Sequence, residues 1–145
     1  MIHLQMLWAF VMNHPVAILL CMVIYMVIGS MWYGPLFSKK WIVLTGMDKV
    51  SKEDIQKAMM PAMATSLVTA FVQAVVIGRG LEILDMSSWT YPLIIATVLW
   101  LPFTALPMAQ NYAYTRKPYS LLWIDAGYML VSMWAMSLVL YFTAL

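Results

Sequence analysis

Charge is what this sequence lacks most. Of its 145 residues only 8 are Lys or Arg and 6 are Asp or Glu, while 64% are hydrophobic. Ordinary globular chains carry about 25% charged and about 45–50% apolar residues, and a water-soluble fold of this size could not hide so much apolar surface. The class is integral membrane protein, a single domain over residues 1–145, with the lipid bilayer as first partner and no nucleic acid expected. Cysteine is nearly absent as well: Cys21 alone excludes an intramolecular disulfide and any CxxC redox centre. No Ser-His-Asp, HExxH, P-loop or GxGxxG arrangement occurs, so an enzyme is not expected. The N-terminus, "MIHLQMLWAFVMNHP", has neither a basic n-region nor a small-residue cleavage site, and a removable signal peptide is not expected there.

Long apolar stretches are what the chain does have. A bilayer core of about 30 Å needs roughly 20 apolar residues in a helix, and four stretches qualify: residues 14–33, 59–78, 89–109 and 120–145. Asn13 is placed to cap the first, with Pro15 in its opening turn, where a missing amide costs nothing. Residues 2–12 are apolar too, and either lie along the interface or extend the first helix beyond a bend at Pro15. The expected fold is all-α, a four-transmembrane-helix bundle.

Basic residues alternate between the connections. Loop 34–58 carries Lys39, Lys40, Lys49, Lys52 and Lys57, and loop 110–119 carries Arg116 and Lys117, whereas the second connection has only Arg79. Seven against one predicts, by the positive-inside bias, that loops 34–58 and 110–119 are cytoplasmic, and that the termini of this multi-pass inner-membrane protein are periplasmic. Within the first loop "SKED" at 51–54 reads as a capping box, followed by Ile55, Met59 and Met60 at helical spacing. A short cytoplasmic amphipathic helix ending near Pro61 is expected.

The second span carries the most ordered pattern. Ala62, Ser66, Ala70, Ala74 and Gly78 recur every four residues, with Thr65, Thr69 and Gln73 alongside. Helices in lipid associate by close backbone approach and hydrogen bonds, which small residues permit. The stripe should face protein, within the chain or on a second copy. Its drift of about 40° per step makes two partners necessary.

Few polar groups stand inside the spans. Gln73 lies deep in hydrocarbon, where an amide must find partners. Asp125, in "LLWIDAGYMLVS", is the lone acid within a span, roughly 8 Å from its start at 1.5 Å per residue. Intramembrane carboxylates are functional candidates by default. A structural ion pair with Arg116, Lys117, Lys39 or Lys40 competes with a proton or ligand role that includes Gln73 and Tyr128. The fifteen methionines, among them Met22 and Met26 near Cys21, close no MxxM–His cluster, and flexible apolar filler is their commoner use. His3 and His14 are badly placed for haem. No cofactor or metal is expected. Pro102 and Pro107 should bend the third span.

Trp32, Tyr33 and Trp41, with Lys39 and Lys40, fall at the cytoplasmic boundary of the first span and read as an interfacial anchor. Gly34-Pro35 should end that helix, with Gly34 in a left-handed cap. The same stretch, "WYGPLFSKKW", together with "SKEDIQKA" and "RKPYSLLWIDAGYMLVSMWAMSLVL", resembles the bacterial "domain of unknown function 1761" family over nearly the whole chain. The resemblance implies a small four-helix inner-membrane protein and supplies no reaction, substrate or site. Asp125 stands where the resemblance implies Asn.

Two functions are consistent with these features. One is a non-enzymatic accessory or scaffold subunit, working through helix contacts with other membrane subunits or itself. The other is a small carrier or channel that handles a proton or solute with Asp125 and Gln73.

Overall fold

The computed structural model describes residues 2–84 and 88–144. Every regular element among them is helical: α1 (Ile2–Asn13), α2 (Pro15–Met31), α3 (Ser38–Thr45), α4 (Lys52–Ile83), α5 (Thr90–Trp100), α6 (Leu106–Tyr114) and α7 (Tyr119–Ala144). Two π-helical turns, Trp32–Leu36 and Leu101–Ala105, carry α2 toward α3 and join α5 to α6. Four stretches are long and apolar enough to cross a membrane: Pro15–Leu36, Lys52–Ile83, Thr90–Tyr114 and Tyr119–Ala144. The expected four-span all-α architecture is the observed one, and the last residue of the fourth expected span, Leu145, lies outside the described residues.

Helix α7 is the centre of the bundle. It packs against α2, α4, α5 and α6, and its inward face buries Leu121, Leu122, Ile124, Ala126, Tyr128, Ser132, Met133, Met136, Ser137 and Leu140. Against it α2 sets Ala17, Ile18, Cys21 and Tyr25. The two helices come close enough at Cys21 for its thiol to donate to the Met136 carbonyl at 3.6 Å. The methionines and the cysteine here are core packing. On the other side the Trp134 indole donates to the Thr97 hydroxyl at 2.8 Å, tying α7 to α5.

Several boundaries differ from the sequence reading. The first-turn cap of α2 is His14, not Asn13, which closes α1. The chain bends there with the ladder resumed on either side of Pro15, since the His14 amide donates to the Phe10 carbonyl and the Ile18 amide donates to that of His14. Helix α1 thus extends the first helix beyond the bend and packs on α4. His14 also reaches Glu82 at 3.3 Å, and Glu82 pairs with Arg79, so the lone basic residue of the second connection is engaged on α4 itself. The side chain of His3 lies outside the described residues.

The capping box is realised: the Ser51 hydroxyl accepts from the Asp54 amide at 3.1 Å and opens α4. That helix does not end near Pro61, however, but runs through it for 32 residues. Pro61 is on an exposed stretch only two to three turns from the helix start, where water can serve the carbonyl that its ring leaves unbonded. The short helix between the first two spans is α3 instead. The third span loses its regular ladder near its prolines, in the π-helical turn that contains Pro102, with Pro107 in the first turn of α6. It continues to Tyr114, so the third connection shrinks to Thr115–Pro118, where Arg116 takes a left-handed φ of 55°.

Candidate functional site

Three elements converge on Asp125, and all of them bring aromatic side chains. The Tyr33 hydroxyl donates to Oδ1 at 2.9 Å, the Trp41 indole donates to the same oxygen at 3.2 Å, and the Tyr112 hydroxyl donates to Oδ2 at 2.5 Å. Asp125 sits six residues into α7, half-buried, about 9 Å along the helix from Tyr119. At that depth the side chains with polar tips are phenols and indoles. They reach an interior acceptor while their rings stay in apolar surroundings.

The backbone explains how they arrive. Gly34 is not in a left-handed cap; its φ is −91° and its ψ −105°, and with Pro35 it makes the π-helical turn that swings the chain sideways. Phe37 opens α3, which carries Trp41 back over α7 and ends at Gly46, the residue that does adopt the left-handed form at φ 74°. Without that turn Tyr33 and Trp41 could not both face one carboxylate. The Tyr33 and Trp41 rings then meet edge-on at 5.2 Å.

Neighbouring indoles fasten the same stretch of α7. Trp32 donates to the Ile124 carbonyl at 2.9 Å and Trp100 donates to the Ala126 carbonyl at 2.8 Å, each using a second lone pair on an already bonded helix carbonyl. Gly127 leaves room for the first: a Cβ there would lie 3.2 Å from the Trp32 ring. Removing either indole N–H by Trp32→Phe or Trp100→Phe should cost about 1 kcal/mol of stability, measured by unfolding in detergent micelles.

The expected ion pair on Asp125 is absent. Among the described residues the ion pairs are His14–Glu82, Lys57–Glu53 and Arg79–Glu82. Lys39 and Lys40 are exposed, and Lys117 lies over the Tyr112 ring at 5.0 Å rather than on the carboxylate. The physical reason is reach: the phenol and indole donors already occupy both oxygens, and the lysine heads remain toward water.

Of the other residues singled out, Tyr128 belongs to this cluster through its ring, edge-on to Tyr33 at 5.2 Å and to Tyr25 at 5.3 Å. Gln73 does not belong. It lines a separate crevice with Leu99, Phe103, Thr104 and Met133, and its carboxamide oxygen is buried with no partner. The small-residue stripe divides in two: Ala70, Ala74 and Gly78 are buried, Ser66 is half-buried and Ala62 is exposed. The buried half has more than one partner, as its drift requires, since α4 packs on α1, α2 and α7.

Tyr112 and Trp100 were not legible as site residues. The available signal was a lone intramembrane acid sharing its depth with several phenols and indoles, which stand in for the missing basic partner. Neither the curated proteins nor the solved structures yielded a match to this chain. The aromatic segment around Gly34-Pro35 and Asp125 itself lie together within one matched region, residues 16–141, and on that match the chain belongs to the family described as "Protein of unknown function (DUF1761)".

Proposed function

We propose that this protein is a non-enzymatic accessory or scaffold subunit of the membrane, working through helix contacts with another membrane protein or with itself. The observation that carries this reading is the division of α4. From Lys52 to Thr69 none of its residues is buried, whereas Ala70, Ala74 and Gly78 are covered by the chain's own helices. The small-residue pattern that permits close approach therefore continues, through Ser66 and Ala62, beyond the last helix of this chain able to use it. Around it stand exposed Met59, Met60, Met63 and Val68.

The distribution of Lys and Arg supports an inner-membrane orientation with loops 34–58 and 110–119 cytoplasmic and the termini periplasmic, which puts this free half of α4 toward the cytoplasmic side. The arrangement favours assembly over a proton or solute carrier. Asp125 is held by three donors from its own chain, and Gln73 sits in a different crevice, so the two residues do not form one path.

Native mass spectrometry of the full chain released in nanodiscs tests the reading. A homo-oligomer or a co-purifying membrane protein is expected. Ala62→Leu with Ser66→Leu should weaken that association about tenfold, a loss of about 1.4 kcal/mol, while leaving helicity unchanged. A strictly monomeric, partnerless particle would overturn the proposal.

A further inference from the structure

Tyr33 and Trp41 are committed to Asp125, and Trp32 to the Ile124 carbonyl. The outer surface at this end of the bundle is therefore left to other side chains. On α3 the inward side carries Trp41 and Leu44, which pack against the group formed by Tyr112, Leu121, Leu122 and Ala126. The outward side carries Lys39, Lys40, Ile42 and Val43, all exposed, and Leu36 is exposed just before it. Apolar side chains interleaved with lysines make up the free face of a helix that lies in a membrane interface. The apolar groups and lysine stems enter the acyl boundary, while the ammonium heads stay in the hydrated headgroup layer.

A second basic pair stands on the turn between α6 and α7. Arg116 and Lys117 are both exposed there, and exposed Tyr114 and Tyr119 flank them. Phenol rings free of the bundle beside basic residues are the usual furniture of the headgroup level. The two pairs flank one point of the bundle. Lys117 lies 5.0 Å over the Tyr112 ring, Lys40 precedes Trp41, and Tyr112 and Trp41 donate to opposite oxygens of Asp125.

This positive charge is not balanced locally. No Asp or Glu stands in α3, in α6 or in the turn that joins α6 to α7. Asp125 has both oxygens occupied by aromatic donors. The ion pairs among the described residues include none of Lys39, Lys40, Arg116 and Lys117.

We infer that this end of the bundle is a contact surface for anionic phospholipid, whose phosphodiester groups are met by Lys39, Lys40, Arg116 and Lys117. Charge complementarity selects an anion, since each Lys or Arg near the surface attracts acidic headgroups. The exposed Leu36 and Val43 and the two phenols select an anion that arrives in a leaflet, with acyl chains to cover them. The surface shares no residue with the free half of α4, so a chain that stayed monomeric would keep it.

The test uses the full chain in nanodiscs of equal parts phosphatidylglycerol and phosphatidylcholine with matched acyl chains. Native mass spectrometry then counts the lipids that the released protein retains. Phosphatidylglycerol should exceed phosphatidylcholine among them about tenfold. Lys39→Gln with Lys40→Gln, and Arg116→Gln with Lys117→Gln, should each lower that ratio about threefold, and all four together should bring it near one. Lys49→Gln with Lys52→Gln removes the same charge outside the patch and should leave the ratio unchanged. All four patch side chains are exposed, so circular dichroism should show unaltered helicity in these variants. Inorganic phosphate should displace the lipid no more than chloride does at the same ionic strength. A ratio near one in the parent protein, or a ratio that survives the loss of all four cations, would overturn the assignment. So would an equal drop with Lys49→Gln and Lys52→Gln, or specific displacement by inorganic phosphate.

Discussion

Replacing Asp125 by alanine is expected to destabilise the bundle by about 3–4 kcal/mol, whereas replacing it by asparagine should cost only about 1 kcal/mol. The alanine variant strands three donors at once: the Tyr33 hydroxyl, the Trp41 indole and the Tyr112 hydroxyl. A hydrogen bond to a charged group is worth about 1.5–3 kcal/mol, and an unpaired, partly buried donor costs about 1–3 kcal/mol. The three share one acceptor group, so their losses do not add in full. Asparagine keeps one carbonyl oxygen as acceptor, and the phenol that meets its new NH2 group can turn and accept from it. Thermal unfolding in detergent micelles, followed by circular dichroism and tryptophan fluorescence, measures both variants. The two functional readings part on the ranking. A structural acceptor puts Asn close to the parent protein, while a carrier that depends on an ionisable group would lose proton or solute handling as fully with Asn as with Ala. Alanine without effect would mean that the aromatic cluster does not hold the helices together.

Gly78→Ala is the second substitution with a large expected effect, about 2 kcal/mol of destabilisation from overpacking. A Cβ on Gly78 would stand 2.2 Å from Cζ of Phe10 and 2.6 Å from its Cε1. Phe10 is 2% exposed, and its ring lies against that of His14 at 4.8 Å, so it has little room to yield. The new methyl must therefore lift α1 from α4. The sign should reverse once Phe10 is gone. In a Phe10→Ala background the methyl has space, and Ala gains about 1 kcal/mol over Gly in a helix interior, making Gly78→Ala stabilising there. The double-mutant cycle in the same micelle assay measures this coupling. Equal cost of Gly78→Ala in both backgrounds would show that α1 is not seated on α4 through this ring.

The stripe to which Gly78 belongs shows how far a pattern can be read. The four-residue recurrence identifies a helix side built for close approach, and Ala70, Ala74 and Gly78 are buried as that pattern requires. Recurrence carries no information about where a partner stops, and Ala62 is exposed because no other helix of this chain covers it. The same holds for Trp32, Tyr33 and Trp41. Their depth at the end of the first span was legible, since apolar runs and Lys39-Lys40 mark the boundary. Their direction was not, because it depends on a π-helical turn and on α3, and these set the rotation of each ring about the bundle axis. Gln73 was recognisable as an amide in need of partners, yet its place in a crevice apart from Asp125 was not, because that depends on which helices pack beside α4.

The sequence by itself determined the solvent, the number of crossings and, in part, where helices open or lose their regular ladder, as at the Ser51 cap and the turn at Pro102. These follow from composition, run length, proline and capping residues, all of which act within a few residues of the chain. Only the tertiary structure decided that Asp125 is met by Tyr33, Trp41 and Tyr112 in place of a lysine, and that Gln73 faces a crevice of its own. Those outcomes depend on how helices far apart in the chain rotate and cross. Side chains meet there by packing geometry, and one aromatic tip at the right depth looks the same in the sequence as another.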